Sequence, residues 1–154
     1  YPGFKYNMTD LAASMGLVQL RRLPALHRRR QEIVALYDEL LRDRPELEPL
    51  TVTPDVTHAW HLYVIRLRPE LLRINRDALI ELLKAEGIST GVHFIPLHLH
   101  SFYRDAFGYR AEDFPVASAA AETILSLPLF TLMSDDDARY VATTVRRLLD
   151  ANRR

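Results

Sequence analysis

Apolar positions along this chain change spacing several times, and each change predicts an element. Leu11, Met15 and Val18 recur at helical spacing behind Thr9, a good N-cap, with Asp10 in the first turn where a carboxylate favours the helix dipole. Ala12, Ala13 and Gly16 give that helix a narrow face that another helix can approach closely. Pro24 is expected to interrupt or kink it near Leu23. A second segment carries Ile33, Leu36, Tyr37, Leu40 and Leu41 on one stripe, with the basic run from His27 to Arg30 on a solvated face.

The stretch "RPELEPLTVTPD" reads as a proline-punctuated connector with a short edge strand at Leu50 to Val52. In "HAWHLYVIRLRP" the residues Trp60, Leu62 and Val64 alternate with His61, Tyr63, Ile65 and Leu67. Both faces are largely apolar, as in an interior strand. Asn75 caps a helix whose stripe is Leu79, Leu82 and Leu83, and Gly87 closes it. "ISTGVHFI" has strand character up to Pro96, and "SFYRDAFGY" reads as a short helix. Pro115 starts an alanine-rich helix, "VASAAAETILSL", that Pro128 stops. Ser134 with Asp135, Asp136 and Asp137 starts the last helix, and Arg146, Arg147, Arg153 and Arg154 lie towards its other end. The elements add up to an α+β domain with a small sheet and several covering helices. Its long first helix needs something outside the core to pack against.

Composition narrows the function classes. The 154 residues are 48% hydrophobic and 26% charged, which suits one globular domain with a proper core. Lys+Arg and Asp+Glu both number 20, so no net field draws the chain to nucleic acid or to a membrane surface. No apolar run is long enough to span a bilayer and no stretch reads as a leader, so the cytoplasm is the expected location. Cysteine is absent, which excludes disulfides, thiolate metal sites and a cysteine nucleophile. The start at Tyr1, not Met, leads to the expectation of a piece of something longer.

Histidines are the most visible candidate chemistry: "GVHFIPLHLH" holds His93, His98 and His100, and "HAWH" holds His58 and His61. Zinc wants three or four converging ligands. The spacing of His58 and His61 on or beside a strand sends them to opposite faces, and no H-E-x-x-H helix is present, so no metal site is assigned. No G-x-S-x-G and no glycine-rich phosphate loop occurs. "GFKYNMTD" allows two readings: a polar lead-in to a capped helix, or an anion cradle in which first-turn N–H groups, the Lys5 ammonium and the Asn7 amide hold a phosphate.

The blocks "GFKYNMTDLAASMGLVQLRRL", "HAWHLYVIRL", "GISTGVHFIPLHLHSFYRDAF" and "ILSLPLF" followed by a Ser/Asp helix start occur in that order over nearly the whole chain. This set resembles the C-terminal part of the DegT/DnrJ/EryC1/StrS family of pyridoxal-phosphate-dependent sugar aminotransferases, and within it the enzymes of the UDP-4-amino-4-deoxy-L-arabinose type. The resemblance implies the small C-terminal domain of the aspartate aminotransferase (type I) fold. Residues 1–44 would then be the long helical segment leading from a large cofactor-binding domain absent from this chain, and 45–154 the α+β subdomain. It also implies pyridoxal 5'-phosphate as cofactor, a nucleotide-linked keto sugar as acceptor, glutamate as amino donor and a homodimer with sites at the subunit interface.

In such enzymes the Schiff-base lysine lies upstream of "GFKYN", so the resemblance puts no catalytic residue in this chain, and the fragment alone is expected to be inactive. The chain has only two lysines. Lys84 lies on a helix away from its apolar stripe, and Lys5 stands where a phosphate would suppress its nucleophilic form. The family block G-Y-N-Y-R-M, whose asparagine is expected to reach the cofactor phosphate of the partner subunit, aligns its asparagine with Lys5 and its arginine with Asn7. These two are the cofactor-binding candidates, with Tyr6 beside them. His93 and Phe94 match a block expected to line the cleft near substrate, so Tyr6, His93 and Phe94 are the substrate-binding candidates. His98 and His100 are expected to be turn or interface residues. The rival expectation is a stand-alone, non-catalytic binding or dimerisation module of the same fold.

Overall fold

The computed structural model describes residues 3–154. Helix α1 (Asp10–Leu41) starts at Thr9, whose hydroxyl oxygen accepts the Ala12 N–H at 3.3 Å. Pro24 does not divide it: the expected interruption is replaced by one helix of 32 residues. Beyond the proline, His27, Arg29 and Arg30 each bond a loop carbonyl of the domain, so tertiary contacts hold the weakened turn. The second half of α1 buries Ile33, Val34, Tyr37 and Leu41 in the core, with Leu36 and Leu40 at its margin.

Strands β1 (Leu47–Pro49), β2 (Tyr63–Leu67) and β3 (Ile124–Leu127) form an antiparallel sheet in the order β1-β2-β3. Leu47 faces Leu67, and Tyr63 faces Leu127. The edge strand therefore lies before Leu50 to Val52, where it was expected. Leu47 is buried and Leu50 half exposed, so core burial fixes the register upstream. The interior strand is β2, as expected, but it begins at Tyr63. Trp60 has a left-handed backbone, φ 48°, and cannot join the ladder. Tyr63, Ile65 and Leu67 point into the core while Val64 and Arg66 are half-buried.

Asn75 caps α2 (Arg76–Ala85) through its side-chain oxygen, and Gly87, with φ 74°, follows its end. The expected strand through "ISTGVHFI" is reduced to one bridge between Gly91 and Ser126. Past Gly91 the chain leaves the sheet and enters a 3₁₀ turn at Leu97–Leu99, then α3 (Ser101–Phe107). The alanine-rich helix α4 (Pro115–Thr123) is shorter than expected, because "ILSL" pairs with β2 as β3. Strand pairing wins there: Thr123, the last residue of α4, accepts from Arg66 Nε at 3.0 Å through its hydroxyl oxygen, and Leu125 and Leu127 enter the core.

Helix α5 (Asp135–Ala151) starts with a capping box between Ser134 and Asp137; Arg153 and Arg154 fall beyond its end. It packs against α1 and α2, burying Ala138, Val141, Ala142, Val145 and Leu149. Arg153 pairs with the fully buried carboxylate of Glu46, and Arg146 pairs with Asp43, so the C-terminal end of α5 and the residues just after it are tied to the connector after α1. Among the described residues no helix is long and apolar enough to cross a membrane.

Candidate functional site

The chain places its chemical groups in two clusters that do not touch. The first is the lead-in Gly3–Met8, an irregular segment exposed along its length. Lys5, Tyr6 and Asn7 all project into solvent there, and the rings of Phe4 and Tyr6 lie 5.9 Å apart. Among the described residues, no hydrogen bond joins Gly3–Met8 to the rest of the domain. The lead-in ends at the N-terminus of α1, where Thr9 uses one of the first-turn N–H groups. The remaining first-turn N–H groups, an ammonium and an amide suit a phosphate, while Asp10 opposes one.

The second cluster is built on β3. Gly91 exchanges both backbone bonds with Ser126, its N–H reaching Ser126 O at 3.1 Å and its carbonyl accepting Ser126 N–H at 2.8 Å. The His93 imidazole folds back over Gly91 so closely that a Cβ there would lie 2.5 Å from His93 Cε1. A side chain at Gly91 would therefore push the His93 ring aside. The ring's Nδ1 lies 3.0 Å from the hydroxyl oxygen of Ser126, itself buried. Phe94 sets its ring edge-on to the imidazole at 4.9 Å and is 75% exposed. Ile95 and Leu97 extend this apolar surface.

The other histidines have separate tasks. His98 lies in the 3₁₀ turn, buried, stacked near Phe114, with Nε2 3.0 Å from the Ser118 hydroxyl. His100 Nε2 contacts the Ile95 carbonyl at 3.2 Å. Both are turn residues. His58 Nδ1 accepts the Trp60 backbone N–H at 3.0 Å, and His61 is exposed. Among the described residues no three His, Asp or Glu side chains are grouped to hold a metal ion.

Neither lysine stands beside His93. Lys84 is exposed and pairs with Glu81 at 3.7 Å, and Lys5 is in the lead-in. The residues present thus suit the phosphate end of a cofactor and supply no amine for its carbonyl end. Burial raises the Tyr37 and Tyr63 phenols well above their ordinary range, and Tyr63 is raised further by the Asp38 carboxylate that accepts its hydroxyl at 2.7 Å. Those tyrosines are structural donors.

Sequence reasoning missed Ser126 and Gly91. A glycine inside a strand-like run signals close backbone approach, so Gly91 was discoverable; a serine in "ILSLP" carries no signal of its own. The first half of α1 exposes Leu11, Met15 and Val18 along one face, with Leu20 and Leu23 exposed on other faces. This apolar stripe has no cover among the described residues.

The family model "DegT/DnrJ/EryC1/StrS aminotransferase family" matches residues 1–146. Uncharacterized protein MJ1066 of Methanocaldococcus jannaschii is 45% identical over 98% of this chain and 39% of its own length. The spore coat polysaccharide biosynthesis protein SpsC of Bacillus subtilis is 44% identical over 96% of this chain and 38% of its own. Among solved structures, the PLP-form of Spr1654 from Streptococcus pneumoniae, assigned as a sugar aminotransferase, superposes with a TM-score of 0.88. It is 36% identical and covered over 98% of this chain and 38% of its own. The chain therefore spans about two fifths of the length of the relatives it matches.

Proposed function

We propose that this chain, which belongs to the DegT/DnrJ/EryC1/StrS aminotransferase family, works as the C-terminal domain of a pyridoxal-phosphate-dependent sugar aminotransferase. The observation that carries the reading is the match of the whole small domain, at 36% identity and a TM-score of 0.88, to a structure in its PLP-form. The chain's share of its relatives' length supports a larger protein in which the cofactor's carbon chemistry, its role as electron sink, depends on a lysine outside residues 1–154.

Within that protein this chain contributes binding. Lys5 and Asn7 hold the cofactor phosphate, by an ammonium and an amide held out ahead of α1. Their exposure and their separation from His93 fit delivery to a site completed by another part of the protein, and a homodimer with sites between subunits satisfies this. Tyr6, His93 and Phe94 line the cleft on the substrate side: Phe94 offers an apolar wall and His93 a hydrogen bond to a sugar or phosphate oxygen. The exposed stripe Leu11, Met15, Val18 packs against the large domain, making residues 1–44 the link and 45–154 the subdomain. The acceptor is a nucleotide-linked keto sugar, the donor glutamate, and the compartment the cytoplasm.

The reading is tested by incubating the full-length protein with pyridoxal phosphate, glutamate and a UDP-4-keto sugar, and following products by mass spectrometry. An amino sugar nucleotide formed together with 2-oxoglutarate supports it; oxoglutarate without an aminated sugar removes the sugar acceptor.

A further inference from the structure

The hydroxyl of Ser126 is buried, and both backbone groups of Ser126 are spent on Gly91. Its proton needs an acceptor, because a buried donor without one costs roughly 1–3 kcal/mol. Among the described residues the only partner within hydrogen-bond distance is His93 Nδ1, at 3.0 Å. Were Nδ1 to carry the proton and donate to Ser126 Oγ, the serine hydroxyl would be left with no acceptor. We infer that Ser126 donates to His93 Nδ1 and so holds the neutral imidazole as its Nε2–H tautomer. Ser126 and Gly91 are then positioning residues for a hydrogen-bond donor, His93 Nε2–H, aimed at substrate oxygen.

Three features support a built arrangement. The tautomer is set by the bond that the other ring nitrogen makes, and Nε2 bonds no described residue. Ring placement is fixed from below by the missing side chain at Gly91, which leaves the imidazole the space a Cβ would occupy. It is fixed from the side by the edge-on ring of Phe94. The serine itself is immobilised because it is a ladder residue of β3, opposite Val64 in β2. A neutral Nε2–H donates to a carbonyl, hydroxyl or phosphate oxygen and does not accept from one. This gives the cleft a fixed polarity at that point.

The assignment of the tautomer stands on the chain alone; its use on a sugar oxygen rests on the proposed function. Nitrogen NMR of histidine-labelled protein, at a pH where His93 is neutral, reads the tautomer directly. The expected result is Nε2–H for His93, a mixture of tautomers in Ser126→Ala, and restoration of Nε2–H in Ser126→Thr, which keeps the hydroxyl. Gly91→Ala, which displaces the ring, is expected to break the same bond. An Nδ1–H tautomer in the wild type, or an unchanged Nε2–H population in Ser126→Ala, overturns the inference. In the full-length protein Ser126→Ala is expected to lower kcat/KM for the keto sugar by about tenfold, and Ser126→Thr to restore it. An NMR result as expected with unchanged sugar kinetics overturns the donor role of His93 while leaving the tautomer intact.

Discussion

Arg30 on α1 donates to the carbonyl oxygen of Trp60 at 3.0 Å, and Trp60 is the one non-glycine residue with a positive φ among those described. The same guanidinium group reaches His61 O at 3.3 Å and Leu129 O at 3.4 Å. One cation thus gathers the turn before β2 and the turn after β3, and it offsets the cost of a left-handed tryptophan. Replacing Arg30 by Met leaves these carbonyls without their donor. The expected loss is about 2 kcal/mol in urea unfolding, with Arg30→Lys, which lacks the forked geometry, falling between.

A pH dependence follows from the capping box of α5. Hydrogen bonds from the Ser134 hydroxyl, then from its backbone N–H, hold the Asp137 carboxyl below its usual range. A carboxyl whose pKa is depressed on folding adds stability above its unfolded pKa and loses it as pH falls through the folded value. Asp137→Asn is therefore expected to unfold at lower urea concentration than the wild type at neutral pH. The gap should close as the pH is lowered below the ordinary carboxylate range. A gap that is constant across that range would show that the Asp137 charge is not involved.

The stripe of Leu11, Met15 and Val18 makes a prediction about association. These side chains are exposed on the half of α1 that carries no core contacts, and a contiguous apolar face of this kind marks an interface. The chain on its own is expected to self-associate in sedimentation experiments, and Leu11→Ser, Met15→Ser and Val18→Ser together to restore a monomer. Since these positions lie outside the core cluster, the unfolding free energy should change by less than about 0.5 kcal/mol. A monomeric wild-type chain would contradict the assignment of this face as an interface.

Leu125 and Leu79, both fully buried, lie in the core between the sheet and the helices. Either one replaced by Ala should cost roughly 2–5 kcal/mol, measured by thermal or urea unfolding. The same substitution at the exposed Leu132 should be close to neutral.

Much of the scaffold was legible in the sequence because its signals are local. Thr9, Asn75 and Ser134 cap helices where the chain chemistry puts them, and Gly87 ends α2 with the positive φ that glycine permits. The misreadings share a cause. Pro24 and "ILSL" were read from local preference, and tertiary bonds overrode it: His27, Arg29 and Arg30 hold the helix past the proline, and pairing with β2 draws residues 124–127 out of the helix. The strand around His93 was overread because hydrophobic alternation does not show that the chain leaves the sheet after Gly91. His93 and Phe94 became candidates through family blocks, and Lys5 through its place ahead of a capped helix and the same kind of block. Ser126 was invisible, since its importance lies in which nitrogen it faces 33 residues away.

The proposed hold of Lys5 and Asn7 on the cofactor phosphate is open to one direct measurement. Full-length protein loaded with pyridoxal phosphate is mixed with glutamate, and the absorbance of the bound cofactor is followed. The account predicts conversion of the pyridoxal to the pyridoxamine form, and weaker retention of the cofactor in Lys5→Met and Asn7→Ala. A protein that binds no pyridoxal phosphate, or holds it unchanged by glutamate, would contradict the aminotransferase reading. Cofactor retention that both substitutions leave unaltered would contradict the phosphate-binding role of this chain.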